Sequence, residues 1–286
     1  MGLRINNNIA AQNAYRNLSV TDSQMSKSLE KLSSGFRINR AADDAAGLSI
    51  SEGLRSQIGG MKLAVRNTQD GISVVQTAEG ALSTSTSILQ RMRDLSVQAS
   101  SSGSQDTDAR TAAQTEFTQL NAELDRIATT TSFGGQKLLD PAGAYTGTFQ
   151  VGANTATADQ IAVNLGTAAF GSVTGVTGFD STGLGVVALS LVTGASAAIT
   201  AIDTAIKGVS TARATLGAYQ NRFEHTINNL NVAVENLSAS ESRIRDTDMA
   251  SEMVSFTRSQ ILTQAGTSML AQANQAPQQV LQLLRG

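Results

Sequence analysis

The sequence contains no cysteine and no tryptophan, and only two prolines, three tyrosines and eight phenylalanines in 286 residues. The absence of cysteine excludes disulfide bonds, thiol catalysis and thiolate metal sites. Large aromatic side chains supply much of the buried area in compact cores. Because the apolar surface of this chain comes mainly from Ala, Leu, Ile and Val, we expect thin helix–helix seams instead of a thick globular interior.

Charge is also scarce. Charged residues make up 15% of the chain, and the formal net charge is -2. Proteins that bind nucleic acid normally carry a basic patch, whereas the 21 Lys and Arg residues here are spread along the sequence. We therefore expect no nucleic-acid partner.

Targeting and membrane signals are missing from the two terminal segments. The first eight residues lack the apolar stretch of a signal peptide, and Asn6 occupies the Ser or Thr position of the myristoylation pattern. The 26 residues from Ser259 to Leu284 carry no charge, but seven of them are Gln. This composition favours a helix that packs against protein over one that spans lipid, so no membrane insertion is expected.

Three stretches place apolar residues at the alternating three- and four-residue spacing of a coiled-coil seam, over about 54–89, 113–127 and 216–244. A helix from about residue 54 to 100 would be roughly 70 Å long, whereas a compact globule of this size would be about 50 Å across. We therefore predict an elongated helical rod. The residues predicted to form its core are Leu54, Ile58, Met61, Val65, Leu216, Phe223, Ile227, Leu230, Val234 and Leu237.

The two ends carry weaker apolar stripes among Asn, Ser, Ala and Gln. These stripes favour close helix packing against several neighbours, and Pro277 is predicted to bend or interrupt the last helix. The residues predicted to form an assembly seam are Leu18, Met25, Leu29, Leu32, Leu262, Met269, Val280 and Leu283.

The composition changes sharply after Pro141. Residues 141–194 hold 10 of the 25 glycines and only two charges, and 146–151 and 160–165 alternate weakly, which predicts short strands. The predicted fold is mainly α, with a small β-containing central insert. The predicted segments are an inner-core helix (1–45) paired with another (241–286), two parts of a rod domain (46–140 and 195–240), and a variable Gly/Thr-rich surface insert (141–194).

Enzyme-like signals are weak. Residues 183–188 match a relaxed dinucleotide fingerprint and Asp203 follows about 20 residues later, but no buried strand precedes them and no βαβ series follows. His225, the single histidine, fits the polar edge of a helical seam. The acid pairs at 43–44 and 246–248 fit helix termini and salt bridges between subunits. No nucleophile–base pair is present, so we expect no catalytic residue, cofactor or metal.

Five blocks of the two arms carry a specific pattern. They are residues 1–14 (MGLRINNNIAAQNA), 32–48 (LSSGFRINRAADDAAGL), 67–82 (NTQDGISVVQTAEGAL), 216–223 (LGAYQNRF) and 265–284 (AGTSMLAQANQAPQQVLQLL). These blocks closely resemble bacterial flagellin, over about residues 1–140 and 195–286. The insert resembles no particular family, as expected of the variable region of flagellins.

The resemblance implies a structural subunit that is exported unfolded by the flagellar type III apparatus, with an uncleaved N-terminal signal. The subunit would polymerise outside the cell into the flagellar filament used for motility. Implied partners are other copies of the chain, the export apparatus and its chaperone, the filament cap and the hook–filament junction proteins. The resemblance also implies that the extreme ends pair as helices lining the inner tube and are disordered in the free monomer. Their polar, Ala-rich composition agrees with this, since alone they bury too little to offset chain entropy.

A further implication of the resemblance is recognition by the flagellin-sensing Toll-like receptor of animals. The contact motif is matched by residues 89–97 (LQRMRDLSV) and 114–117 (QTEF), with Arg91, Leu95 and Glu116 as the candidate contacts. Asp94 stands where many relatives carry Glu. The alternative interpretation is a polar helix face with one seam residue.

Three other interpretations remain open from the sequence. One is the hook–filament junction protein of the same family. Another is a chemoreceptor-like coiled-coil signalling hairpin, although the insert at 141–194 interrupts that design. The last is a nucleotide-dependent enzyme.

Overall fold

A computed structural model describes residues 8–101, 103, 105–140, 145–170 and 173–283. The described residues form five α-helices, α1 (Ile9–Ser34), α2 (Ala45–Ser100), α3 (Thr107–Thr130), α4 (Ala195–Arg245) and α5 (Met249–Leu283). They also form four short strands, β1 (Ser132–Phe133), β2 (Gln136–Lys137), β3 (Thr146–Gln150) and β4 (Gln160–Asn164). The prediction of a mainly α chain with a small β-containing insert is confirmed.

The chain divides into two compact units. The terminal unit comprises Met1–Ser56 and Asn236–Gly286, and the central unit comprises Gln57–Glu235. The sequence placed the corresponding boundaries at 45 and 240.

The core of the central unit lies between α2, α3 and α4. The fully buried side chains include Leu82 and Leu89 on α2, Phe117 on α3, and Leu216 and Phe223 on α4. Three interhelical ion pairs flank this core: Arg91–Glu116 and Arg93–Asp203, both at 2.7 Å, and Glu79–Arg213 at 3.3 Å. The side chain of Asp106 accepts a hydrogen bond from the Ala109 N–H at 2.8 Å and caps the N-terminus of α3.

Helix α2 runs for 56 residues without a break, although six glycines lie within it. Close packing explains why position 71 is a glycine. A Cβ atom at this position would lie 3.0 Å from Phe223 Cζ and 3.3 Å from Phe149 Cδ1. The missing side chain therefore lets two aromatic rings lie directly on the helix backbone.

The central insert begins with the predicted strands. Strands β3 and β4 pair as an antiparallel hairpin, with Thr146 opposite Asn164 and Gln150 opposite Gln160. A smaller hairpin, β1–β2, precedes it. Its turn contains Gly134 and Gly135 at φ 57° and 83°, a left-handed conformation that favours glycine.

The insert contributes side chains to the interior of the central unit. Its apolar residues are buried in one cluster with the helices, and thus complete the core of the central unit. The buried residues are Val151, Ile161, Val163, Leu165, Ala169, Phe170, Val176, Phe179, Leu184, Val186 and Leu191.

Polar side chains of α3 hold the second half of the insert. Asp125 accepts hydrogen bonds from the Ser181 N–H at 2.7 Å and the Ser181 hydroxyl at 3.0 Å. Gln114 accepts from the Leu191 N–H at 2.6 Å and donates to the Leu189 carbonyl at 3.3 Å. We call residues 181–191 the strap.

The strap contains the relaxed dinucleotide fingerprint, and its structure does not fit a nucleotide site. Residues 181–185 form successive turns, where a dinucleotide site requires a strand followed by a helix N-terminus. The acid about 20 residues later, Asp203, pairs with Arg93. His225 is exposed on α4, as the polar edge of a helix seam would be.

Candidate assembly surface

Helices α1 and α5 pair in antiparallel order within the terminal unit. The Asn8 side chain donates to the Ala273 carbonyl at 2.7 Å near one end of the pair. In the middle, a Cβ atom at Gly266 would lie 3.3 Å from Leu18 Cδ1, so Leu18 packs directly on the α5 backbone. At the other end Lys31 Nζ lies 4.0 Å from the Glu252 carboxylate.

The connection from α1 to α2 passes the connection from α4 to α5. Helix α1 ends at Gly35, which has a left-handed φ of 75° and whose N–H bonds the Lys31 carbonyl. The Gly35 carbonyl accepts from the Thr247 N–H at 3.0 Å, and the Arg37 N–H donates to the Arg245 carbonyl at 2.7 Å. Two chain reversals are thus joined by backbone hydrogen bonds.

The Arg245 side chain strengthens this junction. Its guanidinium lies 4.7 Å from the centre of the Phe36 ring and 3.0 Å from the Glu52 carboxylate. The cation–π and ionic contacts act on one planar group, a geometry that lysine does not reproduce.

The two acid pairs predicted at helix termini lie at helix termini. Asp44 precedes α2 and accepts from the Gly47 N–H at 2.9 Å. Asp248 precedes α5 and accepts from the Ala250 and Ser251 N–H groups at 2.9 and 3.2 Å. These carboxylates satisfy otherwise unpaired helix N–H groups.

The terminal unit buries few apolar groups. Of its described hydrophobic residues, only Ile38 is buried. The α1–α5 seam instead buries Ser28 and Ser259 and crosses at Gly266. Small and polar groups allow close approach of the two helices but remove little apolar surface from water.

Large apolar side chains of α5 remain exposed. Successive helix residues are turned by about 100°, which places Val254 and Ile261 opposite Ser259 and Gly266 and puts the other exposed residues on the two flanks of α5. A shallow groove of about 470 Å³ lies on the side opposite the seam, lined by Met253, Val254, Thr257, Arg258, Ile261 and Leu262. We call the exposed set the α5 stripe: Met249, Met253, Val254, Ile261, Leu262 and Met269. Helix α1 also exposes Ile9, Tyr15, Val20 and Leu29.

The predicted assembly seam falls on two kinds of surface. Leu18, Met25 and Leu32 are half-buried. Leu29, Leu262 and Met269 are exposed to 57%, 47% and 60%. The side chains of Val280 and Leu283 lie outside the described residues.

Of the ten predicted rod-core residues, Leu216 and Phe223 are buried, and the other eight are half-buried. The fully buried positions that the large-residue pattern missed are mostly small: Ala64, Thr68, Gly71, Ala78 and Ser85 on α2. Their three- and four-residue spacing was the available signal. The pattern also missed Asn8, whose position before an apolar stripe is typical of a helix N-cap.

The candidate receptor contacts lie in the central unit. Arg91 Nε donates to Glu116 Oε1 at 2.7 Å, and both side chains are about half exposed. This hydrogen bond raises the pKa of Arg91 and lowers the pKa of Glu116. Leu95 is only 3% exposed and belongs to the core.

Within the part of the chain that the structure describes, no helix has the length and apolarity required to cross a membrane. The same described residues bring together no group of three or more His, Asp or Glu side chains able to hold a metal ion.

Comparison with known proteins gives two family matches. The bacterial flagellin N-terminal helical region matches residues 5–144, and the bacterial flagellin C-terminal helical region matches residues 199–284. The chain is 53% identical to a flagellin of Halalkalibacterium halodurans, over 98% of this chain and 99% of the relative. It is 50% identical to a flagellin of Bacillus subtilis, over 99% and 100%.

A third relative, the flagellar filament 33 kDa core protein of Treponema phagedenis, is 48% identical over 98% of this chain and 99% of its own length. Nothing in these matches favours a chemoreceptor-like hairpin or a nucleotide-dependent enzyme. With both helical arms matched and near full-length relatives at about half identity, the chain belongs to the bacterial flagellin family.

Proposed function

We propose that this chain is the subunit of a bacterial flagellar filament and that copies assemble through the outer faces of α1 and α5. Flagellins are structural proteins and not enzymes. The carrying observation is the α5 stripe, six large apolar side chains that remain exposed although α5 packs against α1.

An exposed row of this kind is typical of a protein–protein contact. Burying one Leu, Ile or Met side chain contributes about 1.5–3 kcal/mol, so several per subunit supply a substantial driving force. Contacts between different faces of identical subunits extend into a helical polymer when the rotation from one copy to the next does not close a ring.

The thin α1–α5 seam supports a second part of the proposal. A helix pair whose described residues include no fully buried apolar side chain gains little against the chain entropy of ordering it. We infer that the terminal segments, taken as 1–45 and 241–286, become ordered when neighbouring subunits cover the α5 stripe. The segments 46–140 and 195–240 would then form a rod that is already folded in the monomer.

Export before assembly belongs to the same proposal. The subunit would pass unfolded through the flagellar type III apparatus with an export chaperone, and would be added to an extracellular filament beneath the cap and above the junction proteins. The absence of cysteine supports this route, because an unfolded chain without thiols forms no disulfides in transit.

Recognition by the flagellin-sensing Toll-like receptor is proposed for the α2–α3 face. Arg91 and Glu116 are exposed and present a charged pair. Leu95 lies beneath them in the core, so we assign it a supporting role and assign direct contact to the two charged residues. Binding of an immobilised receptor ectodomain should fall for Arg91→Ala and Glu116→Ala. Unchanged binding by both variants would exclude this face.

Electron microscopy of polymer grown from purified monomer tests the main proposal. Wild-type protein should form helical filaments. Leu262→Asp should prevent polymerisation, because a carboxylate buried without a partner is strongly destabilising. Val187→Asp is the matched control, since Val187 is also exposed but lies on the strap, and this variant should polymerise. Filaments formed equally well by Leu262→Asp would exclude the α5 stripe as a contact.

A truncation gives an independent test. Deleting residues 259–286 removes half of the α5 stripe (Ile261, Leu262 and Met269) and should abolish polymerisation, while the central helices keep their circular dichroism signal. Normal filaments from the truncated chain would contradict the proposal.

A further inference from the structure

The methionines of this chain are unevenly placed. Six of the seven fall within the described residues. Met249, Met253 and Met269 are exposed to 47%, 49% and 60%, and all three belong to the α5 stripe. Met92 is fully buried, and Met25 and Met61 are half-buried. Exposed sulfur is therefore concentrated on the surface assigned to subunit contact.

These thioethers are also the natural target of a peroxide. Cysteine and methionine are the side chains with an accessible oxidation ladder, and the chain contains no cysteine. With no thiolate to react first, an oxidant that meets the free subunit reaches exposed methionine.

We propose that Met253 and Met269 are reversible oxidation sites that control polymerisation of the subunit. The inference rests on the proposed function, since it requires the α5 stripe to be the contact between copies. Oxidation of the monomer blocks assembly, and enzymatic reduction of the sulfoxide restores it.

The chemistry is a two-electron oxygen transfer. The thioether sulfur attacks hydrogen peroxide, an S–O bond forms, the O–O bond breaks, and water leaves. In the reverse direction a methionine sulfoxide reductase transfers two electrons and two protons from a dithiol, which gives the thioether, water and a disulfide. The oxidant is a peroxide and the reductant a dithiol.

The effect on assembly follows from the surroundings of the sulfur atoms. Met253 lines the shallow groove with Val254, Ile261 and Leu262, and Thr257 and Arg258 complete the lining. The sulfoxide oxygen is a strong acceptor that loses its hydrogen bonds to water when the apolar surface of a neighbouring copy covers it. Burying an acceptor without a partner weakens an interface by about tenfold or more in affinity. Met269 lies farther along the same stripe and acts in the same way.

Because Met253 and Met269 lie on the assembly surface, oxidation can regulate polymerisation only in free subunits. When neighbouring copies cover the α5 stripe, peroxide no longer reaches Met253 and Met269. The monomer pool is therefore sensitive, and the finished polymer is protected.

The test treats purified full-length monomer with hydrogen peroxide, maps sulfoxides by peptide mass spectrometry, and measures the critical concentration for polymerisation. We expect Met249, Met253 and Met269 to be oxidised before Met92. The critical concentration should rise about tenfold or more. Treatment with methionine sulfoxide reductase and its dithiol should return it to the starting value.

Methionine-to-leucine variants show which sulfur atoms cause the loss of polymerisation after peroxide treatment. A triple substitution of Met249, Met253 and Met269 to Leu keeps volume and apolarity, and should polymerise equally well before and after peroxide. Met61→Leu is the control, because Met61 lies in the central unit, and this variant should remain sensitive. If the triple variant fails to polymerise untreated, recovery of the oxidised wild type by the reductase still decides the question.

Two results distinguish a failure of this inference from a failure of the proposed function. Wild-type monomer that carries sulfoxide at Met253 and Met269 and polymerises at an unchanged critical concentration would overturn this inference alone. Untreated wild-type monomer that forms no polymer would overturn the proposed function and this inference with it. Loss of assembly in the peroxide-treated triple variant, equal to that of the wild type, would also overturn the inference.

Discussion

Asn8 and Ala273 are joined by a hydrogen bond of 2.7 Å from the Asn8 side-chain amide to the Ala273 carbonyl oxygen. This carbonyl lies four residues before Pro277, and proline has no N–H to donate to it. The other end of the same amide accepts from the Ala11 N–H at 3.1 Å and caps α1. One side chain therefore begins α1 and pairs the carbonyl that Pro277 leaves free, and α5 continues to Leu283.

The first prediction is a coupling between residues 8 and 277. Asn8→Asp keeps the capping oxygen but removes the donor, and should destabilise the polymer by about 1 kcal/mol per subunit. In a Pro277→Ala background the new Ala N–H pairs the Ala273 carbonyl, so Asn8→Asp should lose most of its effect. The measurement is a double-mutant cycle on the urea concentration that dissociates the polymer. Additive effects would mean that the hydrogen bond does not compensate for Pro277.

The second prediction concerns the aromatic contact on α2. The Phe149 and Phe223 rings meet edge to face, with centres 5.6 Å apart, over the backbone of Gly71. Gly71→Ala should displace both rings and destabilise the central unit by about 1–3 kcal/mol in urea unfolding. Gly80→Ala on the same helix meets no atom within 4 Å and should stabilise it by up to about 1 kcal/mol. Equal effects at the two glycines would exclude the ring contact as the cause.

The third prediction concerns the strap. Asp125→Ala leaves the Ser181 N–H and hydroxyl, both in a buried residue, without their acceptor. Amide hydrogen exchange across residues 181–191 should accelerate about tenfold or more, from the loss of about 1–3 kcal/mol. The control is Thr118→Ala, because the Thr118 hydroxyl bonds only within α3, to the Gln114 carbonyl. Unchanged exchange in Asp125→Ala would show that apolar burial alone holds the strap.

The fourth prediction concerns Arg245. Arg245→Ala removes both the contact with the Phe36 ring and the ion pair with Glu52, and should destabilise the polymer by about 1–2 kcal/mol per subunit. Arg245→Lys should recover less than half of this loss, because an ammonium group does not stack and pair at once. Arg243→Ala is the control, since Arg243 is exposed and its described hydrogen bond is to Ser240. A similar loss in both alanine variants would contradict a specific role for Arg245.

The fifth prediction concerns pH. The hydrogen bond from Arg91 holds the pKa of Glu116 below its ordinary range. The stabilisation from Glu116 is therefore complete above the ordinary glutamate pKa, and it is lost as the pH falls through the lowered one. The stability difference between wild type and Glu116→Gln should be largest near about pH 7 and shrink toward about pH 3. Arg91→Gln should flatten the pH dependence in the same way, and a constant difference across this range would contradict the pairing.

The helical seams show what the apolar periodicity of the sequence can and cannot predict. The spacing from Leu54 to Leu89 predicted one long helix, and α2 confirms it despite its glycines. Which of its positions are most deeply buried was not visible, since Ala64, Ala78 and Ser85 are buried more completely than Leu54. Periodicity identifies the apolar face of a helix. How deeply each residue of that face is buried depends on the side chains of α3, α4 and the insert that pack against it.

The α5 stripe shows the same limit for a binding surface. The sequence selected Leu262 and Met269 as seam residues, and both remain exposed on α5 although this helix packs against α1. A stripe in a sequence shows that a face is apolar but not whether the same chain or another copy covers it.

The sequence by itself determined the helical arms, the two strands of the insert, the helix-terminal acids and the family, because these depend on local periodicity, capping and residue identity. Only the tertiary structure decided that the insert completes the core and that α3 holds the strap by hydrogen bonds. It also decided that Asn8 donates to the carbonyl that Pro277 leaves without a partner. These features join residues that are far apart in the chain, such as Asn8 and Ala273. Their partners are set by packing, which no local pattern encodes.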